Sequence, residues 1–203
     1  MARSRATWGQ PKVYLFTCVL FVTGVIFGAL MVNALSPLQH QELLNTLNRF
    51  FLGIKQEGIL QSSFPAALGY PLRTLGMIWI LGLSVIGFPL ILFILFAKGV
   101  TLGFSVGFLV NQLSWKGLLF AAGSVVPHNL LLVPALVIAS TAGITFSLAL
   151  LRNQFWQQQT PLQHHIAGYT GLFLLMGGVM VTAALVEVYI SPYLLRWLTP
   201  MII

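Results

Sequence analysis

Residues 77–117, MIWILGLSVIGFPLILFILFAKGVTLGFSVGFLVNQLSWKG, decide the fold. Two apolar runs meet there around one charge, Lys98. The first run, 75–97, has 23 residues and no charge. At the helical rise that is roughly 34 Å, enough to cross a bilayer with some tilt. The second, 99–115, has 17 residues and is near the lower limit for a crossing. A lone lysine between such runs is expensive in hydrocarbon. It reads as a tight turn at a membrane face, with its amine snorkelling to water.

The rest of the chain fits this hairpin. Of 203 residues, 58% are hydrophobic and 6% are charged. Soluble domains carry about a quarter charged residues. Ten basic and three acidic side chains cannot clothe a water-facing surface, so most of the surface faces lipid. The net charge of +7 is not a nucleic-acid footprint, because the basic residues are scattered singly at the ends of apolar runs. No nucleic acid is expected as a partner; the lipid bilayer is. The fold class is all-α, a polytopic membrane helix bundle forming a single integral membrane domain. Spans are expected at about 13–35, 75–97, 99–115, 130–150 and 168–190.

Basic residues Arg3, Arg5 and Lys12 precede the first span. They place the N-terminus in the cytoplasm of a multi-pass protein of the cell membrane. The span at 13–35 is too long for the apolar region of a signal peptide and reads as a retained helix. Its single cysteine, Cys18, reads as a small hydrophobe. Gly24 and Gly28 make a small-xxx-small spacing that lets another helix approach closely.

Residues 36–74 form the one sizeable polar segment. Ser36-Pro37 is a helix start, with a capping serine and proline at the first helical position. Leu43, Leu47, Phe50, Phe51 and Ile54 then recur at helical spacing and make an apolar stripe. The stripe lies on the membrane or bundle surface, or it is a docking face for a partner. Ser62-Ser63-Phe64-Pro65 starts a second short helix before the span at 75.

Beyond Lys98, Gly99, Gly103 and Gly107 share one helix face. Each glycine costs roughly 1 kcal/mol in an ordinary helix, so three in register mark a packing seam on a central helix. Residues 117–151 carry no charge but contain Pro127 and Pro134. Residues 117–126 read as an interfacial or re-entrant piece near Pro127, and 130–150 as a span.

Catalytic constellations are missing. The chain has no aspartate, no HExxH zinc motif and no nucleophile elbow around any serine. No cofactor or metal is expected, and the chain reads as a non-enzyme. Four polar residues at membrane depth stand out: Asn111, His128, Asn129 and Glu187. They serve structural hydrogen bonding or line a transport path. The second role would make the protein a small transporter or channel subunit.

The stretches 22–35, 77–117, 125–139 (VVPHNLLLVPALVIA) and 184–192 (ALVEVYISP) together resemble the stage II sporulation protein M family of integral membrane proteins. The likeness covers nearly the whole chain. It implies a scaffold in the mother-cell membrane, active in engulfment during endospore formation. That scaffold would anchor a peptidoglycan-remodelling complex with stage II sporulation proteins D and P, which are similar to cell-wall hydrolases. The likeness carries over no catalytic residues.

Overall fold

The structure, a computed structural model, describes residues 11–46, 64–156 and 162–189. Among the described residues, five long helices make an all-α bundle: α1 (Pro11–Met31), α2 (Phe64–Gly82), α3 (Gly87–Ser124), α4 (Val126–Trp156) and α5 (Leu162–Tyr189). Stretches long and apolar enough to cross a membrane lie at Pro11–Ala34, Gly87–Gln112, Val126–Leu151 and Ile166–Tyr189. The chain is thus a multi-pass membrane protein. α2 is shorter and runs antiparallel to α3 along the same bundle. Its Tyr70 faces Lys98, while Ile78 and Ile91 flank the same point of α4, at Gly143. Among the described residues, four helices are long and apolar enough to cross a membrane, and α2 is not one of them.

The expected turn at Lys98 is not there. Lys98 lies well inside α3, eleven residues beyond its start. The turn falls at 83–86, between α2 and α3, so the expected spans 75–97 and 99–115 are redistributed over these two helices. Physical reasons for the shift are local. A side chain at Gly87 would overlap the Leu81 carbonyl, 1.6 Å away, so only glycine turns the corner there. The Ser147 hydroxyl of α4 donates to the Ser84 carbonyl at 2.7 Å and to that of Val85 at 3.3 Å. Nothing at 98–99 interrupts the helix. The start at Phe64 also continues unbroken through Pro71 to Gly82, where a short separate helix was expected.

The break in the second half of the chain also moves. Ser114 takes φ 49°, ψ −129°, a left-handed backbone that bends α3 sharply. Residues twenty apart on a straight helix would lie about 30 Å apart. Yet Ser105 and Val125 line the same cavity, so 115–124 folds back toward the bundle. The returning arm is helical. Pro127 does not break it, because it sits in the first turn of α4, where a proline removes no needed donor.

α4 occupies the centre. Of its spanning stretch 67% is buried in the bundle, against 22% for that of α3, so the expectation that the glycine-rich helix is central is corrected. α3 is instead closely packed on one side. Gly24 and Gly28 of α1 meet Phe96, Gly99, Val100 and Phe104 of α3; Gly99, Gly103 and Gly107 meet Phe21, Val25 and Ala29 of α1. The two helices run parallel, backbone against backbone. Thr17 and Thr141 share a buried hydroxyl–hydroxyl hydrogen bond of 2.8 Å between α1 and α4.

At the end of the bundle away from the 83–86 turn, residues 37–46 are helical. Ser36 and Gln39 cap this stretch reciprocally. The Ser36 amide donates to the Gln39 side chain at 3.1 Å, and the Gln39 amide to the Ser36 hydroxyl at 3.4 Å. Leu43 is half-buried there; Leu47, Phe50, Phe51 and Ile54 lie outside the described residues.

A polar cavity in the bundle as candidate functional site

On α3, Lys98, Thr101, Leu102 and Ser105 recur at three- and four-residue spacing and share one face. At ~100° per residue this face lies roughly opposite the glycine face of 99, 103 and 107. Facing it are Tyr70 and Pro71 of α2, Phe21 of α1, His128, Asn129, Leu132, Val133 and Leu136 of α4, and Glu187 of α5. They line a partly open cavity of about 290 Å³, at the small end of the range for ligand pockets. Its lining residues bring an ammonium, a carboxylate, an imidazole, a phenol, two aliphatic hydroxyls and an amide together with apolar walls.

The polar groups are partly satisfied among themselves. His128 Nδ1 lies 3.1 Å from Glu187 Oε2 and 3.4 Å from the Ala183 carbonyl. Both neighbours are acceptors, so Nδ1 carries the proton and donates to them. The imidazole is 15% exposed and the carboxylate 30%. The hydroxyls of Thr101 and Ser105 donate to carbonyls of their own helix, those of Ala97 and Thr101, each at 2.9 Å. Their lone pairs remain for the cavity. Asn129 donates to the Val125 carbonyl at 2.8 Å, leaving its Oδ1 and a second N–H. The amine of Lys98 stands 3.8 Å from the centroid of the Tyr70 ring, a cation–π arrangement.

Of the four polar residues singled out from the sequence, His128, Asn129 and Glu187 converge on this cavity. Asn111 does not. It belongs to an exposed network at the far end, where Asn111 donates to Asn33 at 3.4 Å and Gln112 donates to Asn111 at 3.1 Å. Gln112 also meets His40 of the 37–46 stretch at 2.8 Å, and the His40 ring stands edge-on to Phe108. The glycines at 99, 103 and 107 line the opposite side of α3, against α1 with its Gly24 and Gly28.

Sequence reasoning missed Lys98, Tyr70, Thr101 and Ser105 as a group. One signal was available: the three- and four-residue spacing of Lys98, Thr101, Leu102 and Ser105, which speaks only if the helix runs through Lys98. Toward the 83–86 turn the interior is filled. Ile78, Ile91, Leu95 and Tyr169 are each 0% exposed, so the cavity is closed at that end. No group of three or more His, Cys, Asp or Glu side chains converges among the described residues.

A family model described as stage II sporulation protein M matches residues 17–192. The chain is also similar to an uncharacterized protein of Methanocaldococcus jannaschii, 25% identical over 187 residues, which span 91% of this chain and 96% of that one. No solved structure matches the chain.

Proposed function

This chain belongs to the stage II sporulation protein M family, a sporulation-related membrane protein by that membership, and from it we propose a non-enzymatic scaffold. The scaffold anchors a peptidoglycan-remodelling complex for engulfment during endospore formation. It sits in the mother-cell membrane with its N-terminus in the cytoplasm, and its partners are stage II sporulation proteins D and P. The match over residues 17–192 carries this reading.

The architecture supports it. The 37–46 helix is held on the far end of the bundle through His40, Gln112 and Phe108. Its Leu38 is 70% exposed. The docking face assigned to partners is the stripe that starts at Leu43 and continues through Leu47, Phe50, Phe51 and Ile54. Cutting of the wall belongs to the partners.

The test is co-purification in detergent with the two partners, using the full chain and a chain lacking residues 38–58. Loss of the complex on deletion is expected. An unchanged complex places docking elsewhere, and a purified chain that cleaves peptidoglycan unaided ends the non-enzymatic reading.

A further inference from the structure

We propose that the outward face of α2 around Arg73 docks a membrane-spanning helix of another protein, one that carries an aspartate or glutamate near its middle.

Depth and direction make Arg73 unusual. Tyr70 of α2 meets Lys98, and Ile78 lies level with Ile91 at Gly143. Arg73 falls between these two levels. Counted along the helices, its backbone lies about 13 Å from the Gly87 end of the spanning stretch Gly87–Gln112 and about 24 Å from the Gln112 end. Helical side chains lean toward the helix N-terminus, which for α2 is away from the nearer end. Arg73 is exposed, while Pro71, Thr74, Leu75 and Ile78 are buried on the other side of α2. It therefore points out of the bundle. Ionised groups in spanning segments ordinarily face the bundle interior or a water-filled cavity, and pair there. Among the described residues no carboxylate pairs with Arg73: Glu187 is engaged by His128, and Glu42 lies on the 37–46 helix at the far end.

The surroundings of Arg73 have the shape of a helix seat. Gly69, Arg73, Gly76 and Ile80 recur at four, three and four residues, the period with which one helix follows another. A Cβ at Gly69 or Gly76 would meet nothing within 4 Å, whereas Gly99, Gly103 and Gly107 of α3 are filled by α1. Glycines on either side of the arginine let a second backbone come close. At Gly76 the face adjoins an apolar groove of about 510 Å³ between α2 and α5, lined by Leu72, Trp79, Phe173 and Gly177. That groove receives the apolar side chains of the incoming helix.

Charge selects the occupant. A lipid tail leaves the guanidinium unpaired, and a phosphate at either interface does not reach this depth. A second copy of the chain brings no free carboxylate from its described residues, since its Glu187 is held by its own His128 and its Glu42 lies at the far end. A helix with a central carboxylate supplies the paired, planar acceptor that a guanidinium fits best. This contact goes beyond the scaffold reading and does not depend on which protein supplies the helix.

The experiment uses the full chain in phosphatidylcholine nanodiscs at mildly alkaline pH. The probes are three synthetic leucine–alanine helices of about 23 residues with lysine ends, differing only in a central Glu, Gln or Lys. Binding is read as fluorescence anisotropy of the labelled probe. The Glu probe is expected to bind about tenfold more tightly than the Gln probe. Arg73→Lys keeps this preference, Arg73→Leu abolishes it, and Arg73→Glu transfers it to the Lys probe. Gly76→Leu places its side chain in open space, so the chain still folds, and it weakens the Glu probe about tenfold. Equal binding of the Glu and Gln probes to the wild-type chain overturns the proposal. A preference that survives Arg73→Leu, or one that Lys98→Gln abolishes, puts recognition elsewhere and overturns it as well. A dimer seen by native mass spectrometry and lost in Arg73→Leu makes a second copy the occupant and overturns the partner assignment. The probes carry nothing that residues 38–58 are assigned to recognise, so a failure here leaves the far-end docking face standing.

Discussion

The two faces of α3 make opposite use of one membrane-spanning helix. Toward α1, glycines at 99, 103 and 107 let the backbones touch, and no space remains. Toward α2, α4 and α5, Lys98, Thr101 and Ser105 front a cavity of about 290 Å³. Lipid tails are as apolar as leucine, so burying apolar surface gives helices in a bilayer little reason to associate; close packing and hydrogen bonds do. The seam uses the first of these. The cavity forgoes it. A bundle can leave one face of a helix underpacked when the other face is fixed backbone to backbone.

The contrast is broken most directly at the seam. A Cβ at Gly103 would stand 1.9 Å from the Val25 carbonyl, and one at Gly28 would stand 2.1 Å from that of Val100. Backbone atoms cannot swing aside. Gly103→Val is expected to cost about 3 kcal/mol or more, seen as lost folded protein in detergent or a collapsed unfolding temperature. A chain that folds normally with this substitution removes the seam as the organising contact.

A middle-sized effect belongs to the hydrogen bonds. Ser147→Ala removes one of two donors to the Ser84 carbonyl at the α2–α3 turn, the Gly87 amide at 3.1 Å remaining, and is expected to cost about 1 kcal/mol by unfolding in denaturant. A cost equal to that of Gly103→Val would mean that the turn, not the seam, sets stability.

The smallest changes are expected where space is free. Val133 lines the cavity, and Val133→Leu adds one methylene for less than about 1 kcal/mol. An added Cβ at Gly178 meets nothing within 4 Å, and Gly178→Ala is expected to shift stability by less than about 1 kcal/mol. Thermal unfolding of these two beside Gly28→Ala compares one added carbon in three settings. Equal costs in all three would erase the distinction drawn above.

Much of the fold was legible in the sequence. Long uncharged runs gave the membrane setting and the all-α class. Glycines every fourth residue gave the seam residues on α3, since that period needs only one helix to be seen. Ser36-Pro37 gave the capped start at the far end. Lys98 misled because a charge among apolar residues was taken as a border. The true corner was marked by Gly82, Gly87 and Pro89, which carry no charge. The cavity was legible only in fragments. His128, Asn129 and Glu187 stood out as polar residues at depth, but their meeting with Lys98 depends on the register between three helices. No spacing along one helix encodes that register, and the partner of each glycine was hidden for the same reason. Ser114 gave no warning of its left-handed backbone, which glycine would ordinarily supply.

The parallel pairing of α1 and α3 has a consequence for biogenesis. Phe21 meets Gly99, Val25 meets Gly103 and Ala29 meets Gly107, a constant offset of 78 positions. During synthesis α1 therefore enters the bilayer long before its mate leaves the ribosome. Until then its glycine groove faces lipid or the insertion machinery. This contact cannot form as a hairpin of neighbouring helices. A nascent chain stalled after α2 would hold α1 without the helix it packs against.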